Sequence, residues 1–493
     1  VKALRPHQTA AHDLLRAGFR RGKRRGLLVM PTGAGKTVTA LEILRLAQAQ
    51  GRRGLFLCDR RVLVGQAARE AREYGIDCGV LMRDAGPLYR NPEAPIQFAS
   101  KDTMLSWMAS RRDFDLPPSD LVVTDEAHRS AAQTWEALLA AFPAAWEVGL
   151  TATPARSDSK GLGNRYEFLC QPTSYSALIA AGVLVPARCF APGSKVQADR
   201  RAAKRPRRAD LVGDVVGWWE RLARGKRTFV FASGVRHSLA LRDEFLKRGY
   251  AADHLDGDTP DDERDAVLSR AGRLATGRTL VVCSCSVLKY GVDVPSVECV
   301  QLADGFGSLV DYLQACGRGL RASPGKEACT VIDHAGAVLY HGFPDADRPW
   351  ALAETLDHSA DWQAKVAAGT APKPQVCPHC ACVFAARPDC PACGWRPKRE
   401  PKPTETNKGQ LFEVERAAAA AFTPDDYRKG WAQCVAQAHH TGKSLSAAAA
   451  VFKRRFDALP WAVRAEPLPP AGYNWHRPAS DWWRAAFVSS KAS

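Results

Sequence analysis

Residues 26–30, GLLVM, form an unbroken apolar run, and the segment soon after it, VTALEILRLAQAQ, returns to an apolar residue every three or four positions. The first pattern suits a strand buried on both faces, the second a helix with one buried side. The pair recurs in GLFLC before VLVGQAAREAREYG, and further short apolar runs follow in IQFAS, LVVTD and EVGLTA. Such alternation predicts a parallel sheet covered by helices. It stops between residues 192 and 210, then restarts with RTFVFAS, VRHSLALRDEFLKRGY, AADHLDG, DERDAVLSRA, TLVVCS, ECVQLA, SLVDYLQACGRG and ACTVIDH. A second α/β lobe of similar size is therefore predicted.

The interruptions set the expected organisation. Residues 192–210 (PGSKVQADRRAAKRPRRAD) are polar and strongly basic, and read as a linker between a first lobe at 1–191 and a second at 211–345. A connector at 346–374 leads to a cysteine-rich module at 375–396. A second linker at 397–422 precedes an Ala- and Trp-rich C-terminal domain at 423–493, expected to be small and mainly helical. A chain of 493 residues has room for several cores, at about 100–200 residues each.

Composition narrows the class. Lys and Arg number 69 against 52 Asp and Glu, and a net charge of +17 favours a polyanionic partner such as nucleic acid, a charged solubility surface being the plainer source. No run approaches the ~20 apolar residues of a membrane span, and the opening VKALRPHQTAAHDLL has neither the apolar block nor the cleavage site of a signal peptide. A cytoplasmic location with no membrane partner is expected. Most of the 15 cysteines stand singly in apolar runs, where Cys acts as a small buried hydrophobe.

The chemistry begins at MPTGAGKT, where Pro31, Thr32, Gly33, Ala34, Gly35, Lys36 and Thr37 link a predicted strand to a predicted helix. That order is what a phosphate-binding loop requires: Gly33 and Gly35 let backbone amides approach a phosphate, Lys36 reaches the β- and γ-phosphates, and Thr37 can hold Mg2+. Downstream, LVVTDEAH ends an apolar run on Asp125 and Glu126. With a phosphate loop upstream, Asp125 is expected to complete the Mg2+ site and Glu126 to polarise the water that attacks ATP. In SLVDYLQACGRGLR, Gln314, Arg318 and Arg321 follow at intervals of four and three, one face of a helix or its continuation.

MPTGAGKT, TDEAH, LTATP and QACGRGLR, in that order across two α/β lobes, resemble the signature motifs of superfamily 2 helicases and translocases over residues from about 4 to 345. The resemblance implies two RecA-like lobes that hydrolyse ATP between them, with Arg318 and Arg321 as arginine fingers and Gln314 beside them. An arginine delivered from a neighbouring lobe typically contributes ~10³–10⁵ in rate. It further implies that Gln8 of LRPHQ reads adenine with Arg5 as helper, that Thr151 and Thr153 couple nucleotide state to lobe movement, and that His128 lies between the lobes. Arg60 and Arg61 of CDRRVLVGQ, Lys101 of FASKDTM and Ser233 of FVFASGVRHS match positions that contact a nucleic-acid backbone. Gly291 and Asp293 of VLKYGVDVP match a motif that touches the nucleotide.

CPHC and CPAC stand nine residues apart, so Cys377, Cys380, Cys390 and Cys393 form two knuckles of the kind that ligate one structural Zn2+. Cys382 lies between them as a candidate replacement ligand. The tail carries Trp431, Trp461, Trp475, Trp482 and Trp483 and the run FKRRF, a mixture that stacks bases beside phosphates or, more simply, builds a small helical core.

RPHQ, YLQACGRGLR, DHAGAVLYHGFP and the four-cysteine segment, with KGWAQ and VFKRRFDALPW in the tail, look most like the RadD group of bacterial and phage DNA-repair ATPases. That resemblance implies a helicase or translocase on single-stranded, branched or duplex DNA, using ATP, Mg2+ and Zn2+ in a bacterial or phage-infected cell. A repair or replication protein such as a single-strand-binding protein is the candidate partner. An RNA helicase of the same superfamily, and an ATP-switched DNA-binding scaffold that does not translocate, are the alternatives.

Overall fold

A computed structural model describes residues 3–59, 61–82, 91–110, 115–129, 133–155, 161–192, 214–272, 280–285, 287–289, 292–353, 358–368, 374–385, 387–396, 423–456, 460 and 474. Arg60, Gly291, both expected linkers apart from Pro192, and Trp461, Trp475, Trp482 and Trp483 lie outside the described residues, as does the side chain of Arg61.

The first lobe opens with α1 (Pro6–Arg20). Pro6 takes the first turn, where a missing N–H costs nothing, and Gln8 Oε1 accepts the Arg5 N–H at 2.9 Å. The chain continues through β1 (Arg25–Val29), α2 (Lys36–Ala49), β2 (Gly54–Cys58), α3 (Arg61–Glu73), β3 (Cys78–Leu81) and β4 (Ile96–Ser100). It then forms α4 (Lys101–Ser110), β5 (Leu121–Thr124), α5 (Gln133–Ala140), β6 (Trp146–Thr151) and β7 (Phe168–Cys170). The strands make a parallel sheet in the order β3-β4-β2-β5-β6-β1-β7. Its apolar runs are unbroken because helices cover both faces. In β2, Phe56 and Cys58 pack with Leu41, Leu44 and Val64 of α2 and α3, while Leu55 and Leu57 pack with Met104, Trp135 and Leu138 of α4 and α5. Each such Leu or Phe contributes about 1.5–3 kcal/mol by burial.

After α6 (Tyr175–Ala180) and β8 (Ala187–Phe190), the second lobe is built from α7 (Val215–Ala223), β9 (Thr228–Ala232), α8 (Val235–Lys247), β10 (Ala251–Leu255) and α9 (Asp261–Gly272). It continues through β11 (Leu280–Ser284), β12 (Cys299–Ala303), α10 (Leu309–Gly317), β13 (Cys329–Asp333), α11 (Ala337–His341) and α12 (His358–Ala367). The sheet order is β10-β11-β9-β12-β13-β8, again parallel. The boundary expected at residue 191 differs from this arrangement: β8 pairs with β13, so the chain has joined the second sheet by Ala187. One apolar cluster runs from Leu28 and Leu150 of the first sheet through Leu178, Leu184 and Val185 to Phe229 and Val300 of the second. Both lobes accordingly fall in one compact unit, Val1–Lys398.

The cysteine module belongs to the same unit. Its β14 (Gln375–Val376) and β15 (Val383–Phe384) are antiparallel, Phe190 of β8 bridges Cys382, and the Ala191 N–H donates to Ala381 O at 3.1 Å. The module thereby covers the outer edge of β8, which otherwise would present unpaired backbone groups.

Arg399–Ser493 form a separate compact unit. Its described part is the pair α13 (Pro424–His440) and α14 (Leu445–Phe456). Asp426 N–H donates to Thr423 Oγ1 at 3.3 Å and the Asp426 carboxylate accepts the Thr423 N–H at 2.9 Å, a reciprocal cap. Trp431 is fully buried and meets Phe452 edge-on at 5.9 Å, so this tryptophan builds the core of the pair. Among the described residues, no helix is long and apolar enough to cross a membrane.

Candidate nucleotide site between the lobes

From β1 the chain turns into α2 through residues 30–35. Gly33 and Gly35 both have φ of +87°, a left-handed conformation that costs other residues about 1–2 kcal/mol. A side chain would also displace its neighbours: a Cβ on Gly35 would meet Gln8 Nε2 at 2.6 Å, and one on Gly33 would meet Arg321 Cγ at 2.9 Å. Helix α1 braces the loop, with Gln8 Nε2 donating to Gly35 O at 3.1 Å and His7 Nε2 lying 2.9 Å from Ala34 O. The buried Gln8 amide therefore serves the loop and its own helix here, while Arg5 lines the adjoining cavity.

The Asp125 N–H extends the bonding of β5 by donating to Leu57 O at 2.9 Å, and the chain then turns at Glu126, whose φ is +51°. A left-handed non-glycine residue stores strain of about 1–2 kcal/mol. The turn lets both carboxylates line the cavity. Burial and the adjacent Glu126 charge push the Asp125 carboxyl up to about 6. Burial likewise lowers the Lys36 ammonium, against the pull of Glu126 and Asp125. Lys36 Nζ donates to Met30 O at 3.2 Å and Pro31 O at 3.4 Å. Behind Glu126, His128 Nδ1 lies 3.3 Å from Glu126 Oε2 and 3.3 Å from Thr151 Oγ1. Thr151 Oγ1 in turn donates to Thr153 O at 2.8 Å and accepts the Thr153 N–H at 3.0 Å. His128, Thr151 and Thr153 thus form one chain ending on Glu126.

The second lobe reaches the same carboxylate. Gln314 Nε2, on α10, donates to Glu126 Oε2 at 3.2 Å. At the end of that helix a Cβ on Gly317 would meet Thr32 Cβ at 2.6 Å, so only glycine lets the helix approach the loop this closely. Arg318, 5% exposed, donates to Val292 O at 2.6 Å, and Arg321 donates to Val292 O at 3.2 Å and pairs with Asp293. Burial, reinforced by Arg321, lowers the Arg318 guanidinium to about 10. A cavity of about 360 Å³ is lined by Lys36, Thr37, Asp125, Glu126, Arg318 and Arg321, among others.

These residues fit a triphosphate and a divalent cation. Left-handed glycines open backbone N–H groups to phosphate, and Thr37 and Asp125 offer the one or two protein oxygens that Mg2+ takes alongside substrate phosphates. Burial shifts Lys36, Asp125 and Arg318 each against its charged form, a pattern found at functional clefts.

Of the nucleic-acid candidates, Lys101 and Ser233 are among the described residues, and neither lines the cavity. Lys101 Nζ is 3.2 Å from Asp102 Oδ1 and 3.7 Å from Asp59 Oδ1, so its charge is already partnered. Ser233 is exposed, with Oγ lying 2.9 Å from His237 Nδ1 at the start of α8. Two elements of the site are not reached by reading the sequence. Residues 183–185 pair with the arginine-bearing segment, Val185 N–H donating to Leu320 O at 2.8 Å and Ala322 N–H to Val183 O at 3.3 Å. Lys326 donates to Arg321 O at 2.7 Å. The only hint of the first is the apolar VLV run, which reads equally well as core.

In the cysteine module, the Sγ atoms of Cys377, Cys380, Cys390 and Cys393 all lie within 4.8 Å of one another. Cys377 and Cys393 are 3.6 Å apart, as are Cys380 and Cys390. A tetrahedral Zn2+ with Zn–S near 2.3 Å sets its ligands about 3.8 Å apart, so the four thiols fit that ion. The Ala392 N–H donates to Cys390 Sγ at 3.4 Å, which favours a thiolate. Cys382 stands outside the four, buried against Phe190, Phe384 and Cys377, with its Sγ 3.8 Å from Val383 O.

Residues 2–156 match the family model described as type III restriction enzyme, res subunit, and residues 209–323 the helicase conserved C-terminal domain. A 51.5 kDa protein of a Lactococcus phage (isolate 7-9) is 26% identical over 379 residues, 75% of this chain and 77% of that protein. A Schizosaccharomyces pombe protein, irc3, whose name describes a mitochondrial ATP-dependent helicase, is 27% identical over 357 residues, 68% of this chain and 58% of that protein. The solved structure of the ATP-dependent Type ISP restriction-modification enzyme LlaBIII bound to DNA matches with a TM-score of 0.53 at 18% identity, covering 73% of this chain and 29% of that one. At that identity the likeness speaks to the fold. The chain thus spans about three quarters of the phage relative, 58% of the yeast protein and less than a third of the restriction enzyme.

Proposed function

We propose that the chain is a DNA-stimulated ATPase of superfamily 2 of the helicases and translocases that moves along DNA or separates its strands. One observation carries this reading: Arg318 and Arg321 of the second lobe share a single cavity with Lys36, Asp125 and Glu126 of the first. Backbone N–H groups of residues 33–37 and the Lys36 ammonium hold the phosphates of ATP. Thr37 and Asp125 hold Mg2+, which when bound neutralises phosphate charge. Glu126, oriented by Gln314 and His128, accepts a proton from the attacking water. Arg318 and Arg321 leave their carbonyls and Asp293 to meet the charge that builds on the γ-phosphate. Once that phosphate departs, the arginines lose their partner and the lobes can part; if each lobe grips one stretch of strand, the cycle becomes a step.

The net charge of +17, the likeness to the RadD group and the phage relative support DNA repair, recombination or phage genome maintenance as the setting. The four-cysteine module holds Zn2+ as a structural element. The test is ATP turnover with single-stranded DNA, duplex DNA and RNA, followed by triplex-displacement and forked-duplex assays. DNA stimulation, lost in Lys36→Ala and Glu126→Gln, is expected. A fully active Glu126→Gln protein overturns the reading, stimulation by RNA alone redirects it to RNA, and intact ATPase with neither displacement nor unwinding redirects it to a DNA-binding switch.

A further inference from the structure

Lys326 lies in the loop between α10 and β13, only 9% exposed. Its ammonium donates to Arg321 O at 2.7 Å and to Pro295 O at 3.2 Å. These are the two backbone stretches that carry the arginine pair: Arg318 and Arg321 at one end, and Val292 and Asp293, which receive them, at the other. An ammonium taken out of water costs several kcal/mol unless it is well bonded, so a lysine with no role here would extend to solvent. Burial lowers this amine to about 8; Cys329 and Glu298 favour its charge and Arg321 opposes it. On the other flank, Leu184 forms an antiparallel bridge with Arg321, closed by Val185 N–H on Leu320 O and Ala322 N–H on Val183 O. The segment bearing Arg321 is therefore held on one side by that bridge and on the other by Lys326.

We propose that Lys326 is the positioning residue for the arginine fingers, its ammonium tying the Arg321 carbonyl to the Pro295 carbonyl and so fixing both guanidinium groups against the ATP cavity. The inference rests on the reading of Arg318 and Arg321 as the groups that meet the γ-phosphate. Lys36 and Lys326 then have different roles, since Lys36 touches substrate whereas Lys326 acts through its neighbours.

Steady-state ATP hydrolysis and ATP binding by the full chain test it, with Lys326→Met, Lys326→Arg, Arg318→Ala, and Lys326→Met placed in a double Arg318→Ala, Arg321→Ala background. Lys326→Met is expected to lower kcat about 10²-fold, the scale set by a misplacement near 1 Å, while KM and ATP affinity change little. Lys326→Arg restores most of the loss, and in the background lacking both guanidinium groups Lys326→Met costs less than about twofold. Wild-type turnover falls as pH rises through about 8, where this amine gives up its proton, and Lys326→Arg carries that limb to higher pH. Wild-type kcat in Lys326→Met, or a loss that persists undiminished without the two guanidinium groups, overturns the proposal. Full activity of Arg318→Ala strikes the arginine-finger reading instead. If Lys326→Met does not fold, Lys326→Arg decides alone, by whether its basic limb moves.

Discussion

The first lobe delivers its chemistry from strand ends, the second from a helix end and a loop. Lys36 and Thr37 leave β1 through a tight turn, and Asp125 and Glu126 leave β5, with β6 between the two strands in one sheet. Backbone register fixes their separation before any side chain chooses a partner. Gln314, Arg318 and Arg321 instead leave α10 and the loop after it, and their places are set by exchangeable bonds to Glu126, to Val292 O and to Asp293. The contrast separates a cradle set by the sheet from a clamp whose bonds can be traded for phosphate.

Removing the cradle's chemistry has the largest expected effect. Glu126→Gln keeps the fold and lowers ATP turnover by about 10²–10⁴-fold, measured as phosphate release with saturating DNA, because proton acceptance is lost. A steric wedge comes next. Gly317→Ala places a methyl 2.6 Å from Thr32 Cβ, across the interface, whereas Gly319→Ala places one 2.3 Å from Cys329 Sγ, inside the second lobe. The first change is expected to cut ATPase about tenfold or more with little shift in thermal midpoint. The second is expected to destabilise the fold by about 1–3 kcal/mol, read in denaturant unfolding. If both act only on stability, the cleft is not the working part.

Metal removal sharpens the contrast from outside the cleft. Metal analysis is expected to find one Zn2+ per chain, and chelation to lower the thermal midpoint by several degrees as the edge of β8 loses its cover. Retained stability after complete Zn2+ loss would detach the module from the second sheet. The smallest effect is expected at Lys101→Ala: because Asp59 and Asp102 already flank this ammonium, DNA affinity should fall less than about threefold in a salt-controlled titration.

How much was legible in the sequence follows the same division. MPTGAGKT and LVVTDEAH are local patterns whose geometry is dictated by a strand and the turn after it, so Lys36, Thr37, Asp125 and Glu126 could be located from spacing alone, and the structure brings them to one cavity. Arg318 and Arg321 were placed by spacing and resemblance, but nothing local shows that Val292 O receives both, since that contact joins residues 26 and 29 positions apart. Lys326 sits in SPGKEA, which reads as an ordinary polar turn. The crossing of the chain to the second sheet by Ala187 was hidden because ARCF is short and lies next to a basic run that looks like a domain boundary. Trp431 was ambiguous between stacking and core, and only the contact with Phe452 resolves it.

The mechanism turns on one proposition: a guanidinium from one lobe completes a phosphate cradle in the other. Single-turnover hydrolysis by Arg318→Ala tests it most directly, alongside nucleotide binding by the same protein. ATP should bind nearly as well as to the wild type yet be cleaved ~10³–10⁵ times more slowly. Cleavage at the wild-type rate without that side chain would contradict the claim.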